Sequence, residues 1–414
     1  MNYLNKKVAI LGYGIEGQDA EKFLKEEGAD VTILDKKNDE NYLSDLNRFD
    51  IIIRSPGVYR FLPEIVKAEK SGVLITSSIK IFFENCPGKI IGVTGTKGKG
   101  TTSTLIYEIL KKDGRDVYLA GNIGKAYLEL LPKLTKETFV VMEMSSFQLI
   151  DMDLSPHIAV VLNITEDHMD WHTSKEEYIN AKMNIAKYQS VSDYALINDE
   201  YEITRSFGDL TKGKVIPFSK DSLDTKFKKD ILLRGEHNLE NIAAAVTVGR
   251  ILGIDEGKIE ETVKSFKGLE HRLELAGEVR ARTFYNDSFA TGPQPTIAAI
   301  KSFSEPATLI LGGSDKGLDF NELREEIEKN DNVQNLILIG DIGEKIGTGI
   351  KGKNIINLGK SSMDEIVKKA FEVTPSGGVV IFSPAAASFD MFINYKDRGN
   401  KFKNAVQSLR EQKK

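Results

Sequence analysis

Cysteine is almost absent from this sequence of 414 residues, in which Cys86 stands alone. A single thiol excludes an internal disulfide, and such scarcity is typical of proteins that work in a reducing compartment. Basic residues are also few relative to acidic ones, 56 Lys and Arg against 61 Asp and Glu, and they form no basic block. The resulting net charge of −5 predicts that nucleic acid is not a partner.

The sequence also lacks an apolar run long enough to span a bilayer, so no membrane partner is expected. Its first residues, MNYLNKKVAILG, lead straight into an apolar run instead of a signal peptide, which predicts a cytoplasmic protein. What the chain does contain is a regular alternation of short apolar runs with amphipathic segments. This alternation predicts an α/β protein with mainly parallel sheets, and the length allows two or three domains.

The segment KIIGVTGTKGKGTT, residues 89–102, carries the strongest functional signal. An apolar strand at Ile90–Val93 leads into a glycine-rich loop and then an amphipathic helix, an arrangement that presents backbone N–H groups to a phosphate. The alternative is a glycine-rich turn with an incidental lysine. The residues of this segment that can contact the phosphates of a nucleotide are Thr94, Gly95, Thr96, Lys97, Gly98, Lys99, Gly100, Thr101 and Thr102. Gly100 stands where a P-loop usually has Ser or Thr, and Thr101 follows it.

A second glycine pattern lies near the start of the chain. Gly12–Gly17 follows the apolar strand Lys7–Leu11 and fits G-x-G-x-x-G, and Asp35 ends the next strand. Taken alone, this pattern favours an NAD-dependent oxidoreductase, although the same turn can hold any nucleotide diphosphate. Ser55–Gly57 ends a third strand and belongs to the same sheet edge, where it is either a ligand loop or a plain Pro-Gly turn.

Three residues of the middle region are candidate site residues. Glu143 ends a strand, where a carboxylate can bind the magnesium of a nucleotide. His168 lies in the polar loop 163–170, which either holds a metal or substrate phosphates or is an acidic capping loop. Lys182 lies on the apolar side of the predicted helix 175–189. It either snorkels or is chemically altered, and the residues alone favour snorkelling.

Polar groups also cluster in the last part of the chain. Asn238 and Asn241 are one helical turn apart, so both amides can face one ligand. Further on, strands end in the polar loops 286–293, 312–317 and 383–390. Loops that follow parallel strands meet at one sheet edge, which favours a ligand site over unrelated turns.

In this order, the motifs resemble those of the Mur ligases, cytoplasmic ATP-dependent enzymes that form amide bonds in peptidoglycan synthesis. The resemblance covers essentially the whole chain. It implies a Rossmann-like N-terminal domain for a UDP-sugar (1–86), a central P-loop ATPase domain (87–272) and a C-terminal Rossmann-like domain for an amino acid (273–414). It points to the members that use UDP-N-acetylmuramoyl-L-alanine, D-glutamate and ATP through an acyl phosphate. An L-glutamate-adding relative, a non-catalytic nucleotide-binding protein and, remotely, an NAD-dependent oxidoreductase remain alternatives.

The resemblance also implies a monomer with two Mg²⁺ ions and a carbamylated Lys182, and it assigns roles to individual residues. The implied catalytic residues are Lys99, Glu143, His168 and Lys182. The implied metal ligands are Thr101, Glu143, His168 and the Lys182 carbamate. Further ATP contacts are Asn238, Asn241, Arg272 and Asp287. The UDP-substrate contacts are Gly14, Ile15, Glu16, Asp35, Lys37, Ser55, Gly57, Asn122 and His168. The glutamate contacts are Thr291, Lys316, Ser388 and Tyr395. Phe289 stands where a lysine is common in the family.

Overall fold

The computed structural model describes residues 1–123 and 126–412, within which two compact units are distinguished. The first unit contains Met1–Lys228 and Leu239–Val263. The second contains Lys229–Asn238 and the chain from Lys264 onward. The predicted domains 1–86 and 87–272 both lie mainly in the first unit, each with its own sheet, and their limits stay a prediction.

The N-terminal part of the first unit is a parallel sheet with the spatial strand order β2-β1-β3-β4. Its strands are β1 (Lys7–Leu11), β2 (Asp30–Leu34), β3 (Ile51–Arg54) and β4 (Leu74–Ser77). The helices are α1 (Ile15–Glu26), α2 (Pro63–Lys70) and α3 (Ser78–Asn85), with a 3₁₀ turn at Leu46–Arg48. Val8 and Ile10 pack into one apolar cluster, whereas Ala9 and Leu11 pack into another. Both faces of β1 are therefore buried, which explains its continuous apolar sequence.

The second part of the first unit is a parallel sheet with the strand order β10-β9-β8-β5-β7-β6. The strands are β5 (Lys89–Thr94), β6 (Val117–Gly121), β7 (Phe139–Glu143), β8 (Ile158–Val161), β9 (Tyr194–Asn198) and β10 (Lys214–Phe218). The helices are α4 (Lys99–Lys112), α5 (Ser146–Leu149), α6 (Lys175–Lys187), α7 (Glu202–Arg205), α8 (His237–Ile251) and α9 (Glu256–Ser265), and 3₁₀ turns cover Leu128–Lys133 and Thr225–Phe227. The central position of β5 places the loop after it in the middle of the carboxyl edge.

The second unit contains a sheet with the strand order β11-β12-β16-β13-β14-β15. The strands are β11 (Glu274–Val279), β12 (Arg282–Asn286), β13 (Ala307–Gly312), β14 (Val333–Ile339), β15 (Asn354–Gly359) and β16 (Val379–Phe382). The helices are α10 (Pro293–Lys301), α11 (Asn321–Lys329), α12 (Gly343–Gly347), α13 (Met363–Val373) and α14 (Tyr395–Gln412). β11 pairs antiparallel with β12, and the other strand pairs in the described residues are parallel. The predicted α/β class with mainly parallel sheets is confirmed.

Buried polar contacts join the two sheets of the first unit. The Arg54 guanidinium at the end of β3 is 0% exposed and donates to both carboxylate oxygens of Asp151, over 3.1 and 3.0 Å. It also donates to the carbonyl of Phe147 in α5 over 2.8 Å. Asp19 in α1 accepts the backbone N–H groups of Tyr127 and Leu128, over 2.9 and 2.7 Å. These contacts hold the N-terminal sheet against the helices and turns of the second sheet.

None of the helices in the described part of the chain combines the length and the apolar composition that crossing a bilayer requires.

Candidate functional site

The nucleotide loop, Gly95–Gly98, joins β5 to α4. Gly98 has φ +85°, a left-handed conformation that side chains disfavour. A Cβ on Gly98 would also collide with Oδ1 of Asn241 in α8. Thr102 in the first turn of α4 donates to the same oxygen over 3.2 Å. Glycine is therefore required at position 98, and Asn241 fixes how closely α8 approaches the loop.

Hydroxyl and ammonium groups hold the nucleotide loop in shape. Thr96 Oγ1 lies 2.8 Å from the Tyr178 hydroxyl and accepts the Thr165 N–H over 2.9 Å. Lys99 Nζ donates to the carbonyls of Gly95 and Thr96, over 3.0 Å each. Gly100 is buried and Thr101 half-buried in the first turn of α4. The first N–H groups of a helix point along its axis, so this end of α4 favours an anion.

Two further loop residues predicted to contact ATP flank the site. Thr94, the last residue of β5, donates from Oγ1 to the carbonyl of Met144 over 3.0 Å. Lys97 Nζ lies 3.6 Å from Asp167 and is largely exposed.

Glu143 ends β7 next to β5 and is only 8% exposed. Asn122, just after β6, donates from Nδ2 to Glu143 Oε1 over 2.9 Å. In the described residues, Oε2 has no hydrogen-bond partner. A buried carboxylate with one oxygen engaged in this way suits a hard cation. No group of three His, Cys, Asp or Glu side chains able to hold a metal occurs in the described parts of the chain, so a metal here would need other oxygen ligands.

Lys182 in α6 is 2% exposed, and the expectation that it snorkels is wrong. Its Nζ donates to the carbonyl of Gly95 over 2.9 Å and lies 3.4 Å from Thr94 Oγ1. Burial, together with the nearby Lys99 charge, lowers the pKa of the Lys182 amine well below its usual value. A lower pKa raises the fraction of Lys182 in the neutral, nucleophilic form above that of an exposed lysine.

The polar loop after β8 carries two histidines in different surroundings. The His168 side chain is 47% exposed and its ring lies 4.7 Å from that of Phe147. His172 is buried, with Nδ1 3.0 Å from Glu177 and Nε2 2.9 Å from Ser146 Oγ. Burial lowers the pKa of His172, which keeps its imidazole neutral near pH 7. His168 therefore remains open to a ligand, whereas His172 ties α6 to α5.

A cavity of about 630 Å³ lies at the carboxyl edge of the N-terminal sheet. Its walls include the predicted substrate contacts Gly14, Ile15, Glu16, Asp35, Lys37, Ser55, Gly57 and Asn122. The predicted contact His168 is not among the residues that line it. Tyr42 also lines the cavity, and no sequence motif marked this residue.

The protein itself fixes the two acidic residues of this cavity. Asp35 accepts the backbone N–H groups of Lys37 and Tyr13, over 2.8 and 2.6 Å, and these bonds lower its pKa. Glu16 accepts from the Tyr127 hydroxyl and from Gln148 Nε2, over 2.7 Å each. Burial outweighs these bonds and raises the pKa of Glu16. Gln148 was missed by the sequence analysis because its partner lies 132 residues away.

In the second unit, Arg272 and Asp287 come together at the end of β12. Asp287 is buried and accepts the Ser383 hydroxyl over 2.7 Å and the Leu273 N–H over 3.1 Å. Burial raises the pKa of Asp287 to about 7, despite these bonds and the positive charge of Arg272. Asn238 is buried and donates from Nδ2 to the carbonyl of Arg234 over 2.6 Å.

The residues predicted to bind glutamate lie in loops after β12, β13 and β16 and at the start of α14. Thr291 and Tyr395 are half-buried, Lys316 is exposed and Ser388 is buried. These four residues are not joined to one another by hydrogen bonds in the described part of the unit.

Arg398 holds these loops together, although the sequence analysis gave it no role. It is fully buried and donates to the carbonyls of Ser288 and Ala386, over 2.9 and 3.0 Å. A backbone bridge between Ser314 and Ala387 joins the loops after β13 and β16. A single arginine on a helix gives no sequence signal of this function.

Comparison with known proteins identifies the family. Residues 93–232 match the Mur ligase middle domain. The UDP-N-acetylmuramoylalanine–D-glutamate ligase of Acetivibrio thermocellus is 39% identical, over 98% of this chain and 97% of that protein. The proteins of the same name from Clostridium botulinum and Clostridium tetani are each 38% identical over the same shares.

Solved structures share the fold at lower identity. The MurF ligase of Thermotoga maritima in complex with ADP matches with a TM-score of 0.61 and 19% identity, over 99% of this chain and 96% of that chain. The UDP-N-acetylmuramate-alanine ligase MurC of the same organism matches with a TM-score of 0.59 and 18% identity, over 98% and 100%. With full-length relatives at 38–39% identity, the chain belongs to the Mur ligase family.

Proposed function

We propose that this protein is an ATP-dependent ligase that joins D-glutamate to UDP-N-acetylmuramoyl-L-alanine. The observation that carries the proposal is Asn122, which lines the 630 Å³ cavity and also donates to Glu143 beside the nucleotide loop. One amide thus connects a cavity suited to a nucleotide sugar with a loop suited to phosphates. The names of the full-length relatives, which specify UDP-N-acetylmuramoylalanine and D-glutamate, support the same substrates.

The reaction would proceed in two steps. The substrate carboxylate attacks the γ-phosphorus of ATP, so that an acyl phosphate forms and ADP leaves. The amine of glutamate then attacks the acyl carbon, phosphate leaves, and the amine gives up a proton. Lys99 and the N-terminus of α4 would neutralise charge on the transferring phosphoryl group, where positioning and electrostatics account for most of the catalysis. Glu16, Asp35 and the turn at Ser55 would hold the UDP part.

Magnesium fits the first unit, because Glu143 offers a buried carboxylate oxygen and Thr101 a half-buried hydroxyl at the start of α4. We propose Glu143, His168, Thr101 and a carbamate on Lys182 as ligands of two Mg²⁺ ions, with Thr101 replacing the hydroxyl that Gly100 lacks. Bound magnesium supplies Lewis-acid stabilisation of phosphate charge. The lowered pKa of Lys182 supports the carbamate, because CO₂ reacts with a neutral amine.

The remaining assignments are part of the same proposal. Asn238, Asn241, Arg272 and Asp287 would contact ATP, and Thr291, Lys316, Ser388 and Tyr395 would contact the carboxylates of glutamate. The protein would act as a cytoplasmic monomer in peptidoglycan precursor synthesis.

Phosphate release tests the proposal. We expect release from ATP only when UDP-N-acetylmuramoyl-L-alanine and D-glutamate are both present, with one new amide bond per phosphate. Omission of either substrate, and replacement of D-glutamate by L-glutamate, are the controls. Release that is independent of glutamate, or faster with L-glutamate, would contradict the proposal.

A further inference from the structure

The 630 Å³ cavity of the first unit includes a tyrosine to which no motif assigns a role. The strand β2 is the edge strand of the N-terminal sheet, and β1 is its only neighbour there. The cavity walls include the glycine turn after β1, Asp35 directly after β2, and Tyr42 in the segment that follows. Tyr42 therefore belongs to the stretch of chain that continues the cavity beyond the edge strand.

Asp35 sets the direction of a nucleotide in this cavity. Its two carboxylate oxygens accept the backbone N–H groups of Tyr13 and Lys37, over 2.6 and 2.8 Å, so the side chain is fixed. In a glycine-turn unit of this kind, the turn binds a diphosphate and the acidic residue after the second strand binds ribose hydroxyls. Diphosphate, ribose and base follow one another in a nucleotide. The base therefore lies past Asp35, where the segment with Tyr42 forms the wall.

The Tyr42 side chain suits a flat ligand. It is half-buried. Within residues 1–123 and 126–412, its ring pairs with no other aromatic ring and its hydroxyl makes no hydrogen bond. Burial, followed by the charges of Asp35 and Glu64, raises the pKa of Tyr42, so the ring stays a neutral phenol at pH 7. A neutral aromatic ring in the wall of a cavity offers a stacking surface.

We propose that Tyr42 binds the base of a uridine nucleotide by stacking its ring on the flat face of the uracil. The inference deepens the proposed function and rests on it for the identity of the base. Aromatic stacking accepts any base, so Tyr42 supplies affinity and orientation, whereas choice among bases falls to other groups. A base held at this end leaves the part of the cavity lined by Asn122 for the remainder of the substrate.

Calorimetric binding of UDP to the full chain tests the stack. We expect Tyr42→Leu to weaken UDP about tenfold, because it removes the aromatic face and keeps the apolar bulk. Tyr42→Phe keeps the ring and should stay within about twofold of the wild type. Ribose diphosphate has no base, so its affinity should be equal in all three proteins. Tyr188→Leu, at a tyrosine that is 43% exposed and outside the cavity, is the control and should bind UDP as the wild type.

Dihydro-UDP provides the same test from the side of the ligand. Its base keeps the hydrogen-bonding groups of uracil but is not flat, so it should bind the wild type more weakly than UDP does. Tyr42→Leu should then change the affinity for dihydro-UDP by no more than about twofold, since the stack is already lost. Urea unfolding midpoints check that each variant is folded, and the comparison of UDP with dihydro-UDP on the wild type needs no variant.

Three results would overturn the stack: UDP affinity unchanged in Tyr42→Leu, an equal loss for ribose diphosphate, or an equal loss for dihydro-UDP. Absence of UDP binding to the wild type would remove both the stack and the proposed substrate. These measurements need neither ATP nor glutamate. A ligase reaction that fails while UDP binding depends on Tyr42 would therefore contradict the proposed function alone.

Discussion

At the scale of single residues, Lys182 has the most unusual surroundings in the first unit. Its amine is buried, contacts the carbonyl of Gly95, and has a pKa far below that of an exposed lysine. Burial of a lysine without a salt bridge costs free energy. Because strongly perturbed pKa values cluster at functional sites, the burial of Lys182 favours a chemical role for its amine. A carbamate converts this amine into a carboxylate-like oxygen ligand.

Lys182→Ala should lower turnover by more than about 100-fold, the order of loss expected when a metal shell is broken. Acetate or another short carboxylate should restore part of the activity. Lys187→Ala, at an exposed lysine five residues further along the same helix, is the control and should behave as the wild type. Full activity of Lys182→Ala, or of the wild type in buffer freed of carbon dioxide, would contradict the carbamate.

Asp287 predicts a pH dependence of stability in the second unit. Burial raises its pKa in the folded protein to about 7, above the ordinary value of 3.8. The folded state then binds the proton more tightly than the unfolded state, so its stabilising contribution is complete below pH 3.8 and disappears as the pH rises to about 7. Each pKa unit corresponds to about 1.4 kcal/mol.

Urea unfolding between pH 5 and pH 8 checks this sign. The free energy of unfolding should fall over this range, and Asp287→Asn should flatten the fall because it cannot ionise. Asp331→Asn, at an exposed site, should follow the wild-type curve. Equal slopes for wild type and Asp287→Asn would show that the carboxyl group ionises normally.

At the scale of elements, the start of α4 depends on a conformation that glycine alone adopts without strain. Gly98 and Gly114 flank this helix, and both have φ +85°. A Cβ on Gly98 would collide with Asn241, whereas a Cβ on Gly114 would meet open space. The two positions therefore separate backbone strain from steric collision.

Gly114→Ala should cost about 1–2 kcal/mol of unfolding free energy, the left-handed strain alone. Gly98→Ala should cost more and should also raise the KM for ATP, because α8 has to move away from the loop. Urea unfolding and steady-state kinetics of both variants measure the difference. Identical losses of stability with unchanged ATP kinetics would mean that the Asn241 contact does not shape the loop.

Elements were predictable where the signal is local. The apolar run Lys7–Leu11 predicts β1 with the limits that the structure has, since burial of both sheet faces demands continuous apolar sequence. The antiparallel edge strand β11 was not predicted, because Glu274–Val279 mixes polar residues and glycine and its pairing with β12 is irregular between Leu275 and Gly277. Local pattern carries no information about such an irregular edge.

Site residues, like elements, were predictable only where a local sequence pattern marks them. The loop glycines and Asp35 were found because a motif of fixed spacing contains them. The contacts of Arg54 with Asp151 and of Glu16 with Gln148 were not found, because they join residues 97 and 132 positions apart. The residues alone favour a snorkelling Lys182 for the same reason, since the carbonyl of Gly95 that accepts its hydrogen bond belongs to a distant loop.

At the scale of the whole molecule, the first unit contains two sheets joined by a buried ion pair. Arg54 has no exposed side-chain surface, and Asp151 takes two of its hydrogen bonds. Removal of one partner of such a pair leaves an uncompensated buried charge. The two sheets should therefore unfold in one transition that depends on this contact.

Asp151→Ala should lower the unfolding free energy of the first unit by about 3–5 kcal/mol. Glu325→Ala, which removes an exposed helical ion pair with Lys329, should change stability by no more than about 0.5 kcal/mol. Hydrogen exchange of amides in β1 and β5 reports the two sheets separately. Loss of protection in β1 alone would show that the N-terminal sheet unfolds independently.

The discontinuous make-up of the first unit has a consequence for its biosynthesis. Asn241, which shapes the nucleotide loop, is translated 143 residues after Gly98, and the segment Lys229–Asn238 between them belongs to the other unit. A ribosome-bound chain that ends at residue 228 carries every strand of both sheets but not α8. Such a nascent chain still exposes the apolar surface that α8 covers, and exposed surface of this kind recruits chaperones. Stalled chains of increasing length should therefore become resistant to protease only after Val263 has left the ribosomal tunnel.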